Sequence, residues 1–179
     1  CRRLAPEIAD YHNTHALIVD ACGASEHAES LWLALLGQHP DCADAYYNYG
    51  RLLCRQARYL QAIPCLKQAC ALKPQWNDAY KNLGHACFGL KQLAAAEGAF
   101  RQALSLHPDD PETLLNLARL RQNDDDVAGA AEFYRLALAS QPDATTLLRL
   151  ALLRPIFCSD AAEIKAHRER IVADLETIG

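Results

Sequence analysis

Asparagine stands at positions 48, 82 and 116, so Asn48, Asn82 and Asn116 follow one another at intervals of 34 residues. A side-chain amide carries both a donor and an acceptor. A column of amides therefore matches the backbone of an extended polypeptide without selecting its side chains. The same interval surrounds the column with other groups: Tyr47 and Arg51 beside Asn48, Lys81 and His85 beside Asn82, and Arg119 beside Asn116. Asp44, Asp78, Phe88, Glu112 and Leu115 are expected to project inward beside them and complete a mixed surface along which the cations are spread. Such a surface suits a polypeptide ligand. Two roles for the asparagines stand side by side: a ladder that holds a bound chain, and packing contacts between neighbouring structural units. The column lapses at its N-terminal end, where Thr14 takes the place.

Other chemistry is sparse. His12 and His15 lie one helical turn apart, but no carboxylate or cysteine completes a metal set around them. None of the eight cysteines forms a CxxC pair, and the interval from Cys65 to Cys70 does not suit a zinc knuckle. Most replace aliphatic residues: Cys87 takes the place of Val19 and Leu53, and Cys70 that of Leu104 and Leu138. They read as small buried hydrophobes in a reducing, cytoplasmic compartment. Cys1 is the position at which a lipid-modified secreted chain would begin, but the other cysteines would fit an oxidising space poorly. The run Asn123-Asp124-Asp125-Asp126 reads as a turn and helix start, since no calcium-binding loop follows. There is no glycine-rich phosphate loop, G-x-S-x-G elbow or H-E-x-x-H, so neither a catalytic residue nor a cofactor is expected here.

The elements that position the asparagines must recur with them. Pro40, Pro74, Pro108 and Pro142 share the interval, as do Ala28, Ala62, Ala96 and Ala130. Four residues after each alanine comes a large side chain: Trp32, Leu66, Phe100 and Tyr134. A further column is small: Ala16, Gly50, Gly84 and Ala118. Small residues mark where two helices cross closely, the large one fills the space beside the crossing, and proline separates one helix pair from the next. Helices are predicted at 9–22, 25–38, 43–56, 60–72, 77–90, 94–106, 111–123, 127–140 and 144–153. An N-terminal extension spans 1–8, and an imperfect first repeat 9–42. Three regular repeats follow at 43–76, 77–110 and 111–144. The stretch 145–179 holds a partial repeat, a connector at Pro155-Ile156-Phe157-Cys158-Ser159 and a closing helix from Asp160 to Glu176. The fold class is all-α: a solenoid of helix-turn-helix repeats with C-terminal capping helices.

Composition narrows the partners. A net charge of -4 gives no basic footprint for nucleic acid or an anionic membrane. No apolar run reaches the roughly 20 residues that span a bilayer. The absence of Met, even at position 1, suggests a segment of a longer polypeptide.

The pattern Tyr46, Tyr49-Gly50, Leu53, Ala62, Leu66, Ala69, Pro74, repeated as Tyr80, Leu83-Gly84, Cys87, Ala96, Phe100, Ala103, Pro108, resembles the tetratricopeptide repeat. The resemblance covers about residues 9–142 and weakens in repeat one, where His15 takes an apolar place. It implies a right-handed superhelix whose first helices line a concave, peptide-binding groove. A second resemblance covers about 148–175: a leucine-rich helix, Pro155-Ile156, Ser159-x-x-x-Glu163-Ile164 and Arg168-x-Arg170. That stretch is similar to the junction before the catalytic region in bacterial SPINDLY-like O-linked N-acetylglucosamine transferases. It implies that the array presents polypeptide acceptors to an enzyme whose catalytic residues lie elsewhere. A stand-alone scaffold is the alternative.

Overall fold

A computed structural model describes residues 5–153, with burial known from Glu7 onward, together with Lys165, Glu169, Val172 and Ala173. The described residues form helices and no strands: α1 (Ala5–Ala21), α2 (Ser25–Gln38), α3 (Ala43–Arg55), α4 (Tyr59–Leu72), α5 (Asn77–Gly89), α6 (Leu93–Leu106), α7 (Pro111–Asn123), α8 (Val127–Ser140) and α9 (Ala144–Leu152). The all-α repeat architecture expected from the 34-residue interval is the architecture found, and most boundaries agree within a residue. One differs more. Helix α1 begins at Ala5, so residues 5–8 of the expected extension are helical. Pro6 stands in the first turn, where no amide hydrogen is needed. The connector at 155–159 and nearly all of the closing helix lie outside the described residues.

The chain divides into two compact units, Cys1–Leu106 and His107–Gly179. In the first, α1 packs with α2, α3 with α4 and α5 with α6, and the pairs stack through α2 on α3 and α4 on α5. In the second, α7 pairs with α8, which packs on α9. Its core gathers Ala118, Ala130, Tyr134, Leu138 and Leu150.

The repeating columns are the core. Ala28, Ala62, Ala96 and Ala130 are fully buried, and Trp32, Leu66, Phe100 and Tyr134 nearly so. The small and large columns meet face to face. A Cβ built on Gly84 would lie 2.5 Å from the Phe100 ring, and one on Gly50 2.8 Å from Cγ of Leu66. Close crossing therefore demands the missing side chain at these positions.

Four turns inside the helix pairs are alike. Gly23, Ala57, Lys91 and Asp125 all have left-handed φ, at 86, 57, 56 and 56°. After each, the next amide reaches back to a carbonyl in the preceding helix: Ala24 to Val19, Arg58 to Leu53, Gln92 to Cys87 and Asp126 to Arg121. This closes the helix C-terminus with a left-handed residue. Only the first turn uses glycine. The helix starts in unit 2 are capped by aspartate: Asp110 accepts from Thr113 N at 3.1 Å, Asp126 from Gly129 N at 2.9 Å and Asp143 from Thr146 N at 2.8 Å. The acidic run at 124–126 thus serves as turn and cap, as its sequence suggested.

Candidate functional site

The first helices of unit 1, α1, α3 and α5, carry six of the eight candidate residues, and two junctions set their surroundings. Between α1 and α3 the junction is polar. Asn13 is buried, and its Oδ1 accepts from Nε1 of Trp32 at 3.0 Å and from Nδ2 of Asn48 at 3.1 Å. The Asp20 carboxylate, also buried, receives Nη2 of Arg55 at 2.6 Å from both oxygens and Oγ of Ser25 at 3.0 Å. On the second-helix side, Glu29 accepts two bonds from the Arg58 guanidinium, at 2.7 and 2.8 Å, and one from the Tyr49 hydroxyl at 2.8 Å. The Arg58 bonds hold the Glu29 carboxyl below its ordinary range. Burial, with the neighbouring Glu29 carboxylate, pushes the Tyr49 hydroxyl up to about 12.

Between α3 and α5 the same positions carry other chemistry. Tyr47 stands where Asn13 stood, and its ring lies 4.4 Å from the Trp76 ring, centroid to centroid, tilted by 37°. Each ring has a cation over it: the Arg51 guanidinium 5.8 Å from the Tyr47 centroid and Nζ of Lys73 4.9 Å from that of Trp76. Lys73 also pairs with Asp44 at 2.6 Å. Beside this group opens a shallow cavity of about 540 Å³ lined by Asp44, Lys73, Pro74, Gln75 and Trp76. Burial raises the Tyr47 hydroxyl above its usual range, so the phenol stays protonated and can donate.

The candidate residues are not equivalent. Asn48 is buried and its amide is engaged by Asn13; Asn116 is buried in α7 of unit 2. Asn82 is half-buried, donating to the Asp78 carbonyl at 2.8 Å and reaching the Tyr47 hydroxyl at 3.5 Å. Nζ of Lys81 lies 3.1 Å from Asp78. The His85 ring meets Phe100 edge-on at 5.8 Å. Arg119, exposed on α7, belongs with Asn116 to unit 2. Tyr47, Arg51, Lys81, Asn82 and His85 therefore gather on α3 and α5. Sequence reasoning passed over Asn13, Lys73 and Trp76. Trp76 left a usable signal, being one of only two tryptophans and standing in an inter-helix turn.

Among the described residues, no three His, Cys, Asp or Glu side chains come together as metal ligands. Six cysteines are free among the described residues: Cys70 and Cys87 are buried, Cys42, Cys54 and Cys65 half-buried, and Cys22 exposed. Burial raises the thiols of Cys42, Cys54, Cys65, Cys70 and Cys87, those of Cys54 and Cys70 to about 11, so these five stay protonated and pack as small apolar groups. No described helix is long and apolar enough to cross a membrane.

Residues 18–75 and 78–110 match the tetratricopeptide repeat family. No curated protein matches the chain. Solved structures of similar fold include a crystal structure of MamA, 18% identical over 97% of this chain and 91% of that one, with a TM-score of 0.80. A MamA from Desulfovibrio magneticus RS-1, beginning at residue 41, is 24% identical over 74% of this chain and 75% of its own, with a TM-score of 0.71. PilF of Pseudomonas aeruginosa is 24% identical over 93% and 72%, with a TM-score of 0.76. These likenesses place the fold among tetratricopeptide arrays.

Proposed function

We propose that this tetratricopeptide-repeat chain is a protein-binding module that takes an extended polypeptide segment across the α3–α5 face of unit 1, in a reducing cytoplasmic setting. The observation that carries the reading is the Tyr47–Trp76 pair with a cation over each ring, standing beside an open cavity. Two tilted rings offer a flat apolar platform to a proline or aliphatic side chain. Arg51, Asn82 and the Tyr47 hydroxyl supply hydrogen-bonding groups at its border, so apolar contact and backbone recognition meet in one place. Asn48 supports the face from beneath, through Asn13, rather than touching the ligand.

A displayed library of random peptides selected on the 179-residue chain, followed by fluorescence anisotropy with the selected sequences, tests this. Trp76→Ala and Arg51→Ala should each weaken binding by about tenfold or more, the loss typical of a central aromatic or arginine contact. Selected peptides that bind both variants like the parent would place the site elsewhere.

The residues at 148–175 favour a finer reading. In it the array presents acceptor polypeptides to a SPINDLY-like O-linked N-acetylglucosamine transferase, contributing local concentration and orientation rather than chemistry. This reading rests on the sequence resemblance alone. An intact mass far above 19.8 kDa for the natural polypeptide, with transfer from a nucleotide sugar, would support it. A natural product near that mass would leave a scaffold.

A further inference from the structure

Repeat one breaks a rule that the next two repeats keep. In repeats two and three, three positions of the first helix are buried where the preceding pair stacks: Ala45, Tyr49 and Leu52 in α3, and Ala79, Leu83 and Ala86 in α5. The corresponding residues of α1 are Tyr11, His15 and Ile18. Tyr11 is 69% exposed, Ile18 58%, and His15 is open as well. Ile8, one turn earlier, is 48% exposed and extends the stripe. The surface that stacks repeat on repeat thus continues onto α1, where these residues are exposed among the described residues.

The stripe is self-complementary. Positions 8, 11, 15 and 18 alternate in steps of three and four, the spacing of a helix-packing seam. When two such helices run antiparallel about a two-fold axis opposite residue 13, Ile8 meets Ile18 of the second copy and Tyr11 meets its His15. Every layer is then filled: two aliphatic layers outside, two tyrosine–histidine layers within. The rings already stack inside one helix, Tyr11 lying 6.5 Å from His15 at an interplanar angle of 21°. A parallel pairing is worse on two counts. It sets His15 against His15, and it brings together the acidic N-terminal halves that carry Glu7 and Asp10, in a helix without Lys or Arg. The antiparallel arrangement sends those acids to opposite ends of the contact.

We propose that two copies of this chain associate through α1, antiparallel and two-fold, each using Ile8, Tyr11, His15 and Ile18 to cover the other's open stacking surface. Such a contact is isologous and closes at the dimer. It leaves Tyr47, Arg51 and Trp76 unused, so it stands or falls apart from the peptide-binding reading.

Sedimentation velocity of the 179-residue chain over a dilution series tests it. The expected result is twice the 19.8 kDa chain mass at high concentration, falling to 19.8 kDa on dilution. Tyr11→Glu combined with Ile18→Glu should halve the mass at high concentration and leave the helical circular dichroism, and the melting temperature measured at monomer dilution, unchanged, because both side chains are exposed in the single chain. His15→Glu alone, a milder change, should shift the dimer to higher concentration. A parent that stays monomeric throughout would overturn the proposal. So would a dimer that survives the double variant, or one abolished by Leu148→Glu on the exposed face of α9. Each of those outcomes would mean that the α1 stripe is not the contact between copies.

Discussion

The two junctions of unit 1 use the same positions for opposite ends. Where repeat one meets repeat two, the contact is held by an amide pair, a doubly bonded Asp20–Arg55 and a Glu29–Arg58–Tyr49 cluster. Where repeat two meets repeat three, the corresponding residues are Tyr47 and Asn82, Cys54 and Gly89, and Ile63, Gln92 and Leu83. Gly89 is itself required there, because a Cβ on it would lie 2.5 Å from the Tyr59 ring. A polar junction has geometry to satisfy and so fixes the register of a repeat whose apolar columns are imperfect. The second junction makes fewer such bonds, Asn82 reaching the Tyr47 hydroxyl at 3.5 Å. It leaves Tyr47, Arg51 and Asn82 half-exposed, which is why the candidate site sits there.

Alanine substitutions of the asparagines put the comparison to its hardest test. Asn13→Ala should destabilise the chain by about 2–4 kcal/mol in urea unfolding, because Nε1 of Trp32 and Nδ2 of Asn48 both lose a buried acceptor. Asn48→Ala should cost about 1 kcal/mol, since Asn13 keeps its bond to Trp32. Asn82→Ala, at a half-exposed site, should stay within about 0.5 kcal/mol. Equal losses at Asn13 and Asn82 would mean that the junctions do not differ as their hydrogen bonds imply.

That gradient also marks what could be read from the chain. The helices, their pairing and their close crossings were legible because Ala62, Leu66, Gly50 and Pro74 each recur in a column, and a column averages away the accidents of one repeat. Asn48, Asn82 and Asn116 form a column too, yet one amide is tied to Asn13 and another stands at the surface. Their different fates come from the residue opposite, Asn13 in one case and Tyr47 in the other, and those two share a position but not a chemistry. Asn13 was overlooked for the same reason: it matches nothing in the sister repeats. Contacts made by one repeat alone carry no period, so spacing cannot reveal them. The Tyr47–Trp76 pair is of that kind, joining a helix position to an inter-helix turn.

Acid should expose the polar junction. The Arg58 hydrogen bonds depress the Glu29 carboxyl below its ordinary 4.5. A lowered carboxylate contributes stability that is fully present above its unfolded value and is lost as pH falls through the folded one. The contribution of this junction should therefore persist above about pH 4.5 and decline below it. Glu29→Gln should lower stability at neutral pH and flatten the decline in acid, with the two curves converging at low pH. Parallel curves for parent and variant across that window would show that the Glu29 cluster is not what acid dissolves.

Small effects are also expected from the turns inside the repeats, and they run against the order of regularity. Repeat one, the least regular by its apolar columns, alone has glycine at the left-handed position, at φ 86°. Repeats two and three hold Ala57 and Lys91 there, at 57 and 56°. A left-handed residue with a Cβ is strained by about 1–2 kcal/mol, while glycine returns part of any gain through the freedom of the unfolded chain. Ala57→Gly and Lys91→Gly should thus each stabilise by about 0.5–1 kcal/mol, and Gly23→Ala should destabilise by a similar amount. Beyond its own chain neighbours, no heavy atom lies within 4 Å of a Cβ placed on Gly23, so that loss would report backbone conformation. Asp125→Gly should change little, because aspartate tolerates this conformation. A chemical-denaturation series over the four turns measures the ranking. If Ala57→Gly proved destabilising, the turn would be held by contacts of its methyl group, and the strain at the second repeat would have to be sought in its junction instead.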